Sequence, residues 1–239
     1  MPLIRGSLLH MAAAHHYRRM QAVQEGEDPE RWYTPKAALY ALAKQELEAG
    51  GPAMWKDLIP LVWNAWEAYE KYYPYDHEEW EILQVEEYLQ ANVGKGKHLY
   101  TQRPDLVVRD RRTGKVYIVD HKTAWRLDHS TLTQHLLGIQ FLGYQLFGKA
   151  KYKRAFGGIL VNRIKVKAPV QFSRTLLERS PHAIRSFPTF IDFWEEQIAR
   201  FTKTAESPWD WPPTFDERCC VSKYGACPMF ESCRHGPSK

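Results

Sequence analysis

The sequence is short of uninterrupted apolar stretches. No run approaches the ~20 residues a helix needs to cross a bilayer, so a membrane-spanning helix is not expected. The opening, MPLIRGSLLH, lacks an extended apolar segment with a cleavage site, so no secretory signal is predicted and the cytoplasm is the expected compartment. A glycine-rich phosphate loop is missing too, which argues against nucleotide-triphosphate hydrolysis by this chain. Cysteine is missing until the last 21 residues, where all four occur. Acidic residues are missing from 148–177, which carries eight basic ones, whereas 24–90 holds fifteen acidic residues against five basic. With a net charge of +5, that split suits a polyanion-binding face beside an acidic part, or simply a solvated lysine-rich surface.

What is present suffices for a folded body. With 239 residues, 44% of them hydrophobic, the chain can bury a core as one domain. Its organising stretch is 103–123, RPDLVVRDRRTGKVYIVDHKT. Two β-branched runs, Leu106-Val107-Val108 and Val116-Tyr117-Ile118-Val119, flank a charged turn with Gly114, which is a hairpin signal. Asp105 opens the first strand; Asp120 ends the second, followed by His121 and Lys122. A hairpin brings its outer ends together, so Asp105, Asp120 and Lys122 are expected to converge. Paired carboxylates suit a hard divalent cation, and a neighbouring ammonium can stabilise charge developing on phosphorus.

A Pro-Asp pair, fourteen residues and then Asp-His-Lys resembles the PD-(D/E)XK nucleases, and the continuation Asp-His-Lys-Thr resembles their RecB-like branch. The resemblance implies a mixed α/β (α+β) restriction-endonuclease-like core: a central sheet flanked by helices, as a single nuclease domain over 1–239. It also implies a Mg²⁺ or Mn²⁺ ion held by His10, Asp105, Asp120 and the His121 carbonyl, with Lys122 acting beside it.

Taken in order, residues 6–24 are predicted as a helix capped by Ser7. Gly6 to His10 matches a Gly-x-x-x-His that the RecB-like branch carries on its first helix, where the histidine is a ligand. Read from the residue alone, His10 is equally a hydrogen-bonded core histidine. His15 and His16 point elsewhere and are expected at the surface or near DNA. Residues 25–79 read as a helical insertion or cap. One helix starts at Thr34-Pro35 and another covers 53–72, where Pro60 should kink or re-start it. The stripe Trp55, Leu58, Ile59, Val62, Trp63, Trp66, Tyr69 is read as core ahead of a base-stacking face.

Residues 80–92 are predicted as one strand, and the resemblance implies that Glu86 lies near the site. A helix is predicted over 132–148. On it Gln140 and Tyr144, four apart, share a face and match the Gln-x-x-x-Tyr of the RecB-like branch, where the pair contacts DNA and orients site groups. Residues 156–164 read as a strand, with 170–172 beside it. Arg163, Lys165, Lys167 and Arg174 are expected on a sheet edge or groove rim, available to phosphates. A last helix over 181–204 should turn Ile184, Phe187, Phe190, Ile191, Trp194 and Ile198 toward the core.

Cys219, Cys220, Cys227 and Cys233 have metal-like spacing within a tail over 215–239. The resemblance implies a [4Fe–4S] cluster there, with three ligands like Cys220, Cys227 and Cys233 and a fourth upstream of the histidine helix. No cysteine precedes His10, so either Cys219 completes the set, or the upstream ligand is missing from this chain, or the site holds something else, such as zinc with His235.

The expected activity is metal-dependent hydrolysis of DNA phosphodiesters, at single-stranded or duplex ends, with exonuclease favoured over endonuclease. A phage-type or bacterial role in recombination, repair or replication is expected. A single-strand annealing protein or a helicase is the expected partner, since the chain carries no helicase motif. The alternatives are an exonuclease that trims DNA ends in CRISPR adaptation, and a non-catalytic DNA-binding module on the same fold.

Overall fold

In the computed structural model of the chain, the described residues are 2–124, 126–129, 132–133, 138–177, 179–204, 221–222 and 225–226. They divide into two compact units. The first comprises 1–93 and 99–187, the second 94–98 and 188–239.

The first unit is built on a five-stranded sheet of β1 (Trp80–Val85), β4 (Leu106–Asp110), β5 (Val116–Ala124), β6 (Phe156–Lys165) and β7 (Gln171–Leu177), in the order β1-β4-β5-β6-β7. β5 and β6 run parallel, and every other neighbouring pair is antiparallel. The β4–β5 hairpin forms as its residue pattern requires, with Leu106 opposite Val119 and Arg109 opposite Val116. Asp110 closes its turn by accepting the Thr113 amide at 2.6 Å, and Gly114 takes the left-handed conformation (φ 68°) that the reversal needs.

Alternation along the strands sends side chains to two apolar cores. One face packs Leu106, Val108, Val119 and Ile164 against three helices: α1 (Pro2–Glu25), α2 (Pro35–Glu48) and α3 (Met54–Tyr72). The other packs Val107, Val116, Ile118, Ile159 and Val161 against α5 (Ile139–Tyr152). Between α3 and β1 lies the single-turn α4 (Asp76–Glu79). Thr34 caps α2 by accepting the Ala37 amide at 3.3 Å. Trp55, Ile59, Val62, Trp66 and Tyr69 of α3 are buried in the same core as α1. The helix continues through Pro60 and is not re-started there, because a proline in its second turn removes only one backbone bond.

Three further expectations need correction. The single strand over 80–92 is two, β1 and β2 (Leu89–Val93), broken at Glu86, whose φ of 54° no strand tolerates. β2 pairs with β3 (His98–Gln102) in a separate ribbon. The described α5 begins at Ile139 and not at 132, since Gly138 is extended (ψ 134°); residues 132–133 are helical, and 134–137 lie outside the described residues.

The last long helix, α6 (Pro181–Thr204), begins in the first unit and ends in the second. Ile184 and Phe187 are buried as expected, but Phe190, Trp194 and Ile198 are exposed, so among the described residues the apolar stripe is buried over its first half alone. In the second unit Asp192 accepts the amides of Lys95 (2.8 Å) and Gly96 (3.1 Å), and a two-residue ladder joins β8 (Val221–Ser222) to β9 (Gly225–Ala226). Cys219, Cys220, Cys227, Cys233 and His235 lie outside the described residues.

Candidate active site

The chain just ahead of β4, the middle of β5, α1 and the head of α5 meet between the central strands of the sheet and the helices. Asp105 sits in the chain just ahead of β4. Its Oδ2 accepts the His121 amide at 2.6 Å, which ties the two outer ends of the hairpin. Its Oδ1 lies 3.1 Å from His10 Nδ1 on α1. Glu86 joins from the break between β1 and β2. Its amide donates to the Asp105 carbonyl (3.1 Å), and its Oε1 stands 3.9 Å from His10 Nδ1. One ligand atom each from His10, Glu86 and Asp105 lie within 4.8 Å of one another.

Asp120 and Lys122 share the α5 face of β5. Lys122 Nζ lies 2.8 Å from Asp120 Oδ2. Gln140 links them: its amide donates to Asp120 Oδ1 (3.2 Å) and to the Tyr144 hydroxyl (2.9 Å), and its carbonyl accepts from Lys122 (3.2 Å). Tyr144 in turn donates to the Arg103 carbonyl at 3.3 Å. Gly143 allows this close approach. A Cβ there would lie 2.5 Å from the Gln102 side-chain amide, which donates to the backbone carbonyl of Gln140.

The charges are poorly balanced. Burial and the nearby Asp105 carboxylate push Asp120 up to about 6, against the pull of Lys122. Burial and Asp105 also raise Glu86, against Arg103 and His10. For Asp105 burial acts upward, but the His10 hydrogen bond and charge prevail and its pKa falls. For His10 burial acts downward and Asp105 more than compensates, so its pKa rises. Carboxylates that resist ionising in each other's company are what a cation would relieve. The donor set of one imidazole nitrogen and carboxylate oxygens fits a divalent ion, manganese more readily than magnesium because of the nitrogen.

His121 presents its backbone here and its ring elsewhere. The ring is fully buried, stacks on Tyr17 (centroids 5.7 Å apart) and meets Asn162 Nδ2 at 2.8 Å. Burial drives its pKa down to about 3, so it is neutral. Behind it, Asn162 donates to the Tyr69 hydroxyl (2.7 Å), which also takes Arg174 (2.6 Å), and Arg174 pairs with Asp76 at 2.7 Å.

Sequence reasoning misplaced several residues. Arg174 is not on a groove rim but half-buried against the buried Asp76, with its guanidinium 3.5 Å from the Tyr73 ring centre. Arg163 is buried and donates to the Asp128 carbonyl. His15 packs on Trp32 and Tyr33, and His16 pairs with Glu70 at 2.8 Å; both lie away from His10, as expected. Asn162 and Arg103 were missed. Arg103 had a signal, standing immediately before Pro104-Asp105, whereas Asn162 had none.

The family model of the PD-(D/E)XK nuclease superfamily matches residues 2–234. A solved structure from Eubacterium rectale, named provisionally as an exonuclease, is similar at 12% identity over 92% of this chain and 80% of its own, with a TM-score of 0.45. The structure of SSO0001 is similar at 13% identity over 86% of this chain and 85% of its own, with a TM-score of 0.33. No curated protein matches the chain at a significant level.

Proposed function

The chain belongs to the PD-(D/E)XK nuclease superfamily, and from that premise we propose that it is a Mg²⁺- or Mn²⁺-dependent deoxyribonuclease, an exonuclease rather than an endonuclease. The observation that carries the reading is the approach of His10, Glu86 and Asp105 ligand atoms within 4.8 Å, with the Asp120–Lys122 pair beside them. In this reading His10, Asp105 and Asp120 hold the cation with the His121 carbonyl, and Glu86 is a further ligand that the motif alone did not include. When bound, the cation supplies an activated water and neutralises charge on the scissile phosphate.

The remaining work belongs to this chain. Lys122 is held by Asp120 and by Gln140, so its ammonium is positioned before substrate arrives. It stabilises the extra negative charge as the phosphodiester is attacked. Gln140 and Tyr144 fix Asp120 and the backbone of Arg103, and they flank the strand being cut. The substrate is DNA with single-stranded or duplex ends. Work in recombination, repair or replication follows from the resemblance to the RecB-like branch, with an annealing protein or a helicase as partner in the cytoplasm.

End-labelled linear, circular and single-stranded DNA with Mg²⁺ and with Mn²⁺ make the test. Linear DNA is degraded from its ends and closed circles survive, and Asp120→Asn and Lys122→Ala each abolish the reaction. Undiminished degradation by both variants would overturn the reading. A metal at Cys219, Cys220, Cys227 and Cys233 is a separate proposal. Iron or zinc in protein purified without oxygen supports it, and a colourless protein with neither ends it.

A further inference from the structure

Glu86 divides its two oxygens. Oε1 faces His10 in the cluster, while Oε2 takes the Nε of Arg103 at 3.0 Å. The two ends of that pair sit in unlike surroundings: the Arg103 side chain is 52% exposed and that of Glu86 14%. The Arg103 backbone is nevertheless fixed, since its carbonyl accepts from Tyr144 and it leads through Pro104 into Asp105. Its guanidinium stands 5.7 Å from the ring centre of Tyr88, two residues past Glu86, and that ring is 64% exposed. An anchored arginine and an open aromatic ring thus flank the candidate metal ligands at the water boundary.

We propose that Arg103 and Tyr88 form a nucleotide-binding subsite beside the metal cluster, and that Arg103 changes partners as it fills. This rests on the nuclease reading above. When a divalent cation takes the Glu86 carboxylate, Arg103 loses its anion and turns to a backbone phosphate of the bound strand, while Tyr88 stacks on the base of an unpaired nucleotide.

The chemistry favours this pair over the other cations near the site. Lys122 is committed to Asp120 and Gln140, and Arg174 is paired with the buried Asp76. An ion pair whose arginine is half in water is weak, so exchanging its partner costs little. A guanidinium fork matches two phosphate oxygens as well as it matches a carboxylate. An exposed ring with a guanidinium close by is a platform for any base, which suits an enzyme that cuts without regard to sequence. Without the subsite, the pair is an ordinary surface contact.

The test compares the parent with Arg103→Ala, Arg103→Lys, Tyr88→Ala and Tyr88→Phe in the full-length chain. Mn²⁺ affinity is measured by calorimetry without DNA. Oligonucleotide affinity is measured with Mn²⁺ by fluorescence anisotropy across salt concentrations, in a Lys122→Ala background that suppresses turnover. Arg103→Ala should bind Mn²⁺ at least about threefold tighter, bind DNA about tenfold more weakly and lower the salt slope by about one unit. Arg103→Lys should keep most of the slope. Tyr88→Ala should weaken single-stranded DNA about tenfold and blunt duplex less, with Tyr88→Phe restoring it. Tighter Mn²⁺ with an unchanged salt slope, or no change in either, would make Arg103 a surface ion pair only. If the parent binds neither Mn²⁺ nor DNA, the nuclease reading fails first; if it binds both and Arg103→Ala matches it, only the subsite is lost.

Discussion

Two polar clusters lie on either side of His121, and they differ in how their charges are met. On the deep side, Asp76 has Arg174, and the hydroxyls of Tyr17 and Tyr69 complete the set: Tyr17 donates to Asp76 at 3.1 Å and Tyr69 accepts from Arg174. Burial acts to lower the Arg174 pKa, yet Tyr69 and Asp76 hold it above its ordinary value. On the edge, Asp105, Asp120 and Glu86 crowd together, and burial plus mutual repulsion lifts two of them. The deep cluster matches its carboxylate to a guanidinium, although Arg174 Nε, Asn162 Oδ1 and His121 Nε2 find no hydrogen-bond partner among the described residues. In the edge cluster each carboxylate has a cationic neighbour of its own, Lys122, Arg103 or His10, but the acids still repel one another, as those of a site that holds a cation would. A balanced network supports the fold, whereas an unbalanced one costs stability and gains reactivity.

The sharpest way to separate the two is Asp120→Asn. It should lower DNA cleavage by at least about 10³-fold, because a ligand and the partner of Lys122 are both altered. It should also raise the melting temperature of the metal-free protein at pH 8, since it removes a buried charge. A lower melting temperature would mean that Asp120 is part of a stabilising network. Next comes Asp76→Asn. Leaving Arg174 buried without its full partner should cost about 3–5 kcal/mol in urea unfolding, and joint replacement by Asp76→Leu and Arg174→Met should recover most of that.

The pH dependence of the metal-free protein follows from the same contrast. The Asp120 pKa is raised from 3.8 to about 6, so its protonated form is favoured by folding. Its contribution is fully present below 3.8 and is lost as pH rises through 6, a change on the order of 1–3 kcal/mol. Asp120→Asn should flatten that slope, and saturating Mn²⁺ should cancel it; denaturant midpoints between pH 4 and 8 would show both. The smallest effect is expected from Asn162→Ala, which cuts the link between the clusters. It should weaken Mn²⁺ by about tenfold at most through loss of the His121 support behind Asp105, read by calorimetry.

The hairpin and its paired aspartates were legible because β-branched runs, a glycine turn and strand-end carboxylates are local signals. The strand over 156–164 was legible in the same way, but its parallel pairing with β5 and the true start of the helix before it were not. His10, Gln140 and Tyr144 emerged only through resemblance, since one histidine or one Gln-x-x-x-Tyr has no meaning by itself. Glu86 was assigned to a continuous strand because the left-handed turn it makes is ordinarily a glycine or asparagine position, and glutamate gives no hint of it. Arg163 and Arg174 were misjudged because linear charge does not say which face of a strand is buried, and each finds its partner far away in sequence. The outward half of α6 was read as core because helical periodicity marks an apolar face without naming what covers it.

The contact between His10 and Asp105 has a consequence for the timing of activity. One group comes from the first turns of the chain, and the other lies beyond both α2 and α3. A nascent polypeptide therefore carries the imidazole long before the acids exist, and it holds no competent centre until the opening helix has docked on the finished hairpin. On the proposed reading, latency of this kind needs no inhibitor: an incompletely folded copy has not yet brought the two halves of its centre together.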